Sequence, residues 1–159
     1  MNKIKNLVIK ASAGTGKTYR LSLEYIIALC KKEDIEAIDY KNILVMTFTR
    51  KATAEIKEGI LNKFSELMEI YEISKNVELS VTEAISTSKL IDDKKRKNFL
   101  NLLESIKNIE PNLAMDNNLL ESLSKVYKEI IKNKEKLKIY TIDAFFNIIF
   151  KNIVTKLMK

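Results

Sequence analysis

The segment that most constrains this chain is a short apolar stretch that leads directly into a glycine-containing loop. Leu7, Val8 and Ile9 predict a buried strand, and residues 19–31 predict a helix. The loop between them reads Ala-Ser-Ala-Gly-Thr-Gly-Lys-Thr at positions 11–18. It fits the spacing of a Walker A phosphate-binding loop, with alanine in the place of the first glycine. The order strand, loop and helix therefore predicts a site for a nucleoside triphosphate.

Each residue type in this loop has a physical role in holding phosphate. Gly14 and Gly16 allow backbone N–H groups to turn inward as a concave row of donors, which the start of the following helix closes. Lys17 would lie along the β- and γ-phosphates, and the Thr18 hydroxyl would hold Mg²⁺. A small-residue turn in an ordinary Rossmann-like unit is the competing interpretation, but it would not require Gly-Lys-Thr after four spacer residues. The candidate loop residues are Ala11, Ser12, Ala13, Gly14, Thr15, Gly16, Lys17 and Thr18.

Composition narrows the class of protein. No apolar run approaches the roughly 20 residues that a membrane span requires, and the apolar part of the N-terminus is too short for a signal peptide. With one cysteine and no histidine, an internal disulfide is excluded and a zinc site is not expected. We therefore expect a cytoplasmic protein with no membrane partner. The net charge of +7 is compatible with a polyanionic partner, although basic runs such as residues 94–97 are more typical of solvated helix faces.

Two further strands are predicted, each followed by a helix. Residues 43–46 form an apolar run that precedes a helix starting near Thr49, and Ile139–Ile142 precedes a final helix that Asp143 is placed to cap. Three strands that each lead into a helix indicate an α/β fold with a parallel sheet. The apolar stripe of the helix after Thr49 comprises Ala52, Ile56, Ile60, Phe64, Leu67 and Tyr71, and one side of the final helix comprises Phe146, Ile149, Phe150, Ile153, Val154 and Leu157.

The middle of the chain lacks strand patterns and predicts a helical insertion over residues 74–137. Ser80 and Glu83 form a capping box at the start of a short helix. Residues 99–106 mark a second helix, which Pro111 should terminate, and residues 119–131 mark a third. The predicted α/β core therefore comprises residues 1–73 and 138–159.

Ligands of open α/β sheets gather at the carboxyl ends of the strands, so the segments after the strands are interpreted together. Residues 47–52 and 141–146 combine threonine hydroxyls, phenylalanine rings and the cations Arg50 and Lys51. Hydroxyls can bond phosphodiester oxygens, rings can stack on unpaired bases, and cations neutralise the backbone. The pattern also allows purely structural roles. At least one of Phe145 and Phe146 is expected in the core, and for Phe48 a core role and a ligand role remain open.

These strings resemble three motifs of the UvrD/RecB-like superfamily 1 DNA helicases, in the order that the family has them. Residues 11–18 resemble motif I. Residues 43–56, which include Thr-Phe-Thr-Arg-Lys-Ala-Thr-Ala-Glu-Ile, resemble motif Ia, and Ile-Tyr-Thr-Ile-Asp-Ala-Phe-Phe at 139–146 is similar to motif Ib. The long gap between the second and third motifs is more like the RecB and AddA branches, the motor subunits of helicase–nuclease complexes. The resemblance implies a P-loop NTPase of RecA-like fold, with the helical insertion as the beginning of its 1B-like subdomain.

The resemblance also implies roles for individual residues. Gly14 to Thr18 would bind ATP and Mg²⁺, with Lys17 and Thr18 as the catalytic residues. The glutamine motif that reads adenine is absent upstream, so Tyr19 is a candidate for stacking on the base. Arg50 replaces the usual asparagine and Asp143 the common histidine, and an acidic side chain cannot grip a phosphate directly. The residues implied in DNA binding are Thr47, Phe48, Thr49, Arg50, Thr141, Asp143 and Phe145.

Other parts that the family needs for hydrolysis are missing. No Walker B Asp-Glu pair is present, since Asp143 is followed by Ala144, and the arginines of later motifs are absent. We expect an N-terminal piece of a larger ATP-dependent DNA helicase or translocase of recombination and repair, with little ATPase activity of its own and with a RecC/AddB-like protein as its partner. Two alternatives remain, a small P-loop kinase or switch NTPase and a non-catalytic module that binds single-stranded DNA or a partner.

Overall fold

A computed structural model of the chain describes residues 15–32 and 35–158. The predicted strand at residues 7–9 and residues 11–14 of the predicted phosphate-binding loop lie outside these ranges. Within the described ranges, no helix is both long enough and apolar enough to span a lipid bilayer. The helices are α1 (Thr15–Ala28), α2 (Arg50–Ser74), α3 (Val81–Thr87), α4 (Asp93–Ile109), α5 (Asn117–Lys132) and α6 (Ile142–Leu157), and the strands are β1 (Leu44–Thr47) and β2 (Lys138–Thr141).

The two strands pair in parallel, which confirms the α/β prediction at the level of a mostly helical chain with a small parallel sheet. The register pairs Leu44 with Lys138 and Thr47 with Thr141. Parallel strands need a long crossover connection, and here α2 to α5 supply it. Because Val45 and Ile139 are buried, one face of this small sheet belongs to the hydrophobic core.

The long helix α2 organises the core. Its buried positions recur at the helical interval, as the sequence predicts, and it contacts α1, α3, α5 and both strands. Phe64 is fully buried and stacks on Tyr127 of α5, with ring centroids 5.2 Å apart and an interplanar angle of 22°. The predicted helical insertion therefore packs on α2, and both share one hydrophobic cluster. The buried side chains of α2 are Ile56, Ile60, Phe64, Leu67, Ile70 and Ser74.

Side-chain caps explain where most helices begin. The Ser80 hydroxyl accepts a hydrogen bond from the Glu83 amide, as predicted from the capping box, and α4 ends at Ile109, just before Pro111. The prediction that Asp143 caps the last helix is wrong. Thr141 has the extended backbone of an N-cap, and its hydroxyl accepts from the Ala144 amide at 3.1 Å. Asp143 lies instead inside the first turn of α6.

The last helix leaves its apolar side uncovered within the described residues. No residue of α6 is buried. The expectation that at least one of Phe145 and Phe146 lies in the core is therefore wrong, since Phe145 is only partly buried and Phe146 is 62% exposed. A helical repeat of apolar residues identifies a side that can be buried, but it does not supply the element that buries it.

Candidate nucleotide and nucleic-acid site

The second and third predicted segments meet at one edge of the sheet. Strand β1 ends at Thr47 and β2 ends at Thr141, and these two residues are partners in the parallel register. Neighbouring strands lie about 4.8 Å apart, so the segments that follow them start side by side. Helix α2 begins at Arg50 and α6 begins at Ile142, which places the N-terminal ends of both helices at this edge.

Thr47 is the buried member of this edge, with 1% of its surface exposed. Its hydroxyl lies 2.6 Å from the Thr53 hydroxyl and 3.1 Å from the Thr49 carbonyl, and it reaches across to the Tyr140 carbonyl at 3.5 Å. The Thr53 hydroxyl also donates to the Thr49 carbonyl at 3.2 Å. Thr47 thus ties the turn between β1 and α2 to the neighbouring strand. Its contact with DNA stays a prediction.

Phe48 lies on the surface. The sequence left a core role and a ligand role open for this residue, and its side chain is 75% exposed. The next residue, Thr49, caps α2 by accepting a hydrogen bond from the Ala52 amide at 3.1 Å. Arg50 and Lys51 are exposed in the first turn of the helix. An exposed ring is therefore followed, after the capping Thr49, by two exposed cations at the positive end of a helix dipole.

At the end of β2, Thr141 and Phe145 are less exposed than Phe48. Thr141 is partly buried and uses its hydroxyl as an acceptor in the cap of α6. Asp143 is exposed, and a carboxylate in the first turn of a helix is favourable for the helix dipole. The ring of Phe145 lies 6.2 Å from that of Phe146, at an angle of 59°. DNA contacts of Thr141, Asp143 and Phe145 stay predictions.

The start of α1 carries the described part of the predicted phosphate-binding loop. Gly16 and Lys17 are exposed, Thr18 is half-buried, and a Cβ added at Gly16 would have no atom within 4 Å. No acidic residue lies in the first turn of α1, and Lys17 adds a cation at the positive end of the helix dipole. An anion is favoured at such a helix end. The donor set therefore fits the phosphates of a nucleotide, and Thr18 supplies an oxygen suited to Mg²⁺.

Tyr19 connects this part of α1 to two other helices. Its hydroxyl donates to Ser105 Oγ of α4 at 3.2 Å, and the Lys63 ammonium of α2 lies 5.0 Å from its ring centroid. One face of the ring is therefore covered by a cation, and 37% of the residue remains exposed. Stacking of Tyr19 on adenine stays a prediction.

Sequence reasoning missed two residues beside the site. A Cβ built at Gly59 of α2 would lie 2.5 Å from Ser22 Oγ of α1 and 3.6 Å from Thr18 Cγ2. Ser22 is fully buried, and its hydroxyl donates to the Thr18 carbonyl at 2.8 Å. The available signal was the isolated glycine inside an otherwise regular helical stripe, which indicates close packing.

Comparison with known proteins gives a consistent set of relatives. The chain is 40% identical over 77 residues, 48% of its length, to an ATP-dependent helicase/nuclease subunit of Clostridium botulinum (strain Alaska E43 / Type E3). It is 31% identical over 170 aligned positions, 96% of its length, to the RecB subunit of the RecBCD enzyme of Buchnera aphidicola subsp. Schizaphis graminum (strain Sg). The chain spans 6% of the first relative and 13% of the second. No solved structure gives a significant match.

A family model matches the chain almost from end to end. It describes the UvrD/REP helicase N-terminal domain and covers residues 2–157. The matched residues include the predicted phosphate-binding loop, both strand-end segments and the helices between them. The chain therefore belongs to the UvrD/REP helicase N-terminal domain family.

Proposed function

We propose that this chain is the ATP-binding N-terminal portion of an ATP-dependent DNA helicase or translocase that acts in recombinational repair. The observation that carries the proposal is the pairing of Thr47 with Thr141 in a parallel sheet. It brings the two segments that resemble DNA-contacting motifs to one edge. The relatives, which are named as RecB and as helicase/nuclease subunits, support the motor of a helicase–nuclease complex, with a RecC/AddB-like protein as its partner.

The nucleotide half of the proposal rests on the start of α1. Gly14 to Thr18 would hold ATP, with Lys17 along the β- and γ-phosphates and the Thr18 hydroxyl on Mg²⁺. When bound, ATP supplies the phosphoanhydride whose hydrolysis drives a motor of this family. This chain binds and orients that nucleotide. We expect little turnover from the chain alone, since Ala144 stands where a catalytic glutamate would follow Asp143.

The DNA half of the proposal rests on the sheet edge. Phe48 offers an exposed ring for stacking on an unpaired base, and Arg50 supplies a cation for the adjacent phosphate. The first turns of α2 and α6 present the positive ends of two helix dipoles to the same edge. Thr47 and Thr49 hold the turn that carries Phe48. The RecA-like part would comprise residues 1–73 and 138–159, and residues 74–137 would be the inserted helical part.

Single-stranded DNA binding tests the second half directly. We expect a fluorescent oligothymidylate to bind the chain with an affinity that falls steeply with salt, as measured by fluorescence anisotropy. Replacing Phe48 with alanine should weaken binding by about tenfold, because stacking contributes about 1–3 kcal/mol per base. Phe150→Ala is the matched control, since Phe150 is also exposed but lies far along α6. An unchanged affinity for Phe48→Ala would remove Phe48 from the proposed track.

Nucleotide binding tests the first half. We expect a fluorescent ATP analogue to bind in the presence of Mg²⁺, and Lys17→Ala to weaken it by about tenfold or more, because hydrogen bonds to charged groups contribute about 1.5–3 kcal/mol. Lys31→Ala is the matched control, since Lys31 is an exposed lysine just after α1. Equal affinities of the two variants would contradict the assignment of the loop.

A further inference from the structure

Gly59 occupies the middle of α2, where glycine is unfavourable because it has a low helix propensity. No glycine among the described residues has a positive φ, so backbone conformation does not require it there. Space does. A Cβ at position 59 would meet Ser22 Oγ at 2.5 Å, closer than real Cβ contacts. The missing side chain lets α2 approach α1 more closely than a residue with a Cβ would permit while the Ser22 hydroxyl keeps its position.

Ser22 cannot readily move aside. It is fully buried, and its hydroxyl is held toward its own helix by the 2.8 Å bond to the Thr18 carbonyl. Turning the hydroxyl away would leave a buried polar group without this partner, which is unfavourable. The contact therefore joins the backbone of α2 to the first turns of α1 with very little freedom between them.

The crossing adjoins the nucleotide half of the proposed site, and α2 links it to the DNA half. Thr18 belongs to the predicted phosphate-binding loop and is itself part of the contact. Gly59 lies about 14 Å along the α2 axis from Arg50, at about 1.5 Å per residue, and Arg50 follows the Phe48 turn. Helix α2 is continuous from Arg50 through Gly59 to Ser74, so as a rigid element it can transmit a displacement at Gly59 to its N-terminal end.

We propose that the Gly59–Ser22 crossing is a positioning contact that couples nucleotide binding at α1 to single-stranded DNA binding at the start of α2. The inference rests on the proposed function. Because no side chain intervenes at position 59, a shift of α1 on nucleotide binding is carried by α2 to the Phe48 turn. The nucleotide then changes the affinity for DNA, and DNA changes the affinity for the nucleotide by the same factor.

Four forms of the whole chain test the coupling. The DNA affinity is measured by anisotropy without nucleotide and with a saturating, non-hydrolysable ATP analogue and Mg²⁺, and the ratio of the two dissociation constants is the coupling factor. We expect a factor of about five or more in the wild type. The Gly59→Ala variant should have a coupling factor close to one. The double variant Gly59→Ala with Ser22→Ala should recover at least half of the wild-type coupling factor, because the Ser22 Oγ that meets the new Cβ is gone. Ser22→Ala alone should keep most of the wild-type coupling factor.

Ile60→Val is the control for a purely structural effect. Ile60 is fully buried on the neighbouring position of α2, and this change removes one methyl without touching Ser22. We expect Ile60→Val to lower the thermal midpoint and leave the coupling factor unchanged. A Gly59→Ala variant that keeps the wild-type factor, or a double variant that does not recover it, would overturn the positioning role.

The outcomes also separate this inference from the proposed function. If the wild type binds neither the nucleotide nor DNA, the proposed function fails. If it binds both with a coupling factor of one, the proposed function stands and the coupling inference is wrong.

Discussion

Helices α5 and α6 have the same length, 16 residues, and both carry an apolar side, yet they end in opposite environments. Helix α5 buries Leu120, Leu123 and Ile130 against the core, whereas α6 buries nothing, and Phe150 is 67% exposed. The comparison teaches that an amphipathic pattern fixes which side of a helix can be buried. The neighbouring elements decide whether it is.

The same contrast divides the described residues into two regions. The helical body, α1 to α5, holds most of the large buried side chains. The strand-end region, residues 47–51 and 141–157, keeps Phe48, Phe146 and Phe150 in solvent. Side chains of the body stabilise the fold, whereas the exposed rings of the strand-end region are available for contacts with something outside these residues. Mutations in the two regions should therefore differ in their effect on stability.

The largest expected effect is that of Phe64→Ala in the helical body. Phe64 is fully buried and stacks on Tyr127, so its removal should lower the free energy of unfolding by about 3–5 kcal/mol. Urea denaturation followed by circular dichroism measures the change. The milder Phe64→Leu keeps most of the volume and should cost less than about 1.5 kcal/mol. Equal stability of wild type and Phe64→Ala would contradict the core that the structure assigns to α2.

The second prediction concerns Cys30, which follows α1 in the same body. Burial raises the pKa of its thiol from 9.0 to about 12 and outweighs the opposite effect of Lys32. Since the thiolate is the reactive form, labelling by a thiol reagent at pH 8 should be about 100- to 1,000-fold slower in the folded chain than in urea. The folded state holds this proton more tightly. The contribution of Cys30 to stability is therefore complete below about pH 9 and is lost as the pH rises toward 12.

Fast labelling of the native chain would show that Cys30 is not shielded as described. The Cys30→Ser variant provides the control for the pH effect. It should show a smaller loss of stability between pH 9 and the highest pH at which the chain remains folded, as followed by thermal denaturation.

Local sequence patterns predicted many of the helices and caps of the body and the positions of both strand ends. The apolar stripe of α2, the Ser80 cap and the end of α4 before Pro111 follow from spacing and turn chemistry. The strand predicted at residues 43–46 is observed one residue later, as β1 (Leu44–Thr47). These features depend on residues close together in the chain. A strand followed by a helix therefore identified both strand-end segments of the candidate site.

Contacts between distant residues could not be predicted in this way. Arg96 lies in a basic run that is typical of a solvated face, yet its guanidinium donates to the Ile85 and Ser88 carbonyls at 2.6 and 2.9 Å, near the end of α3. The bond between Tyr19 and Ser105 and the close approach of Gly59 to Ser22 likewise depend on how helices cross. Nothing in the local spacing of these residues specifies the partner.

The third prediction compares the caps of α2 and α6. Replacing Thr49 or Thr141 with alanine removes one hydrogen bond to a helix N-terminus, which typically costs about 1 kcal/mol. In α2 the loss should lower the free energy of global unfolding, because that helix is part of the core. In α6 it should instead increase local fraying, since no buried side chain ties this helix down. Hydrogen exchange of the helix amides, together with urea denaturation, distinguishes global unfolding from local fraying. If Thr141→Ala lowers the free energy of global unfolding by the full amount of about 1 kcal/mol that a cap typically contributes, α6 unfolds together with the body.

The smallest effect is expected for Phe150→Ala, which makes the same chemical change as Phe64→Ala in the opposite environment. With 67% of Phe150 exposed, little packing is lost, and the free energy of unfolding should change by no more than about 0.5 kcal/mol. The ratio of the changes in unfolding free energy for Phe64→Ala and Phe150→Ala then measures how much more a phenylalanine ring stabilises the fold in the body than in the strand-end region. If Phe150→Ala instead destabilises the chain as much as Phe64→Ala does, α6 is covered in solution, and the contrast between α5 and α6 disappears. Sedimentation of both proteins at several concentrations would then show whether that cover is a second copy of the chain, because such a dimer would dissociate on dilution and its stability would depend on concentration.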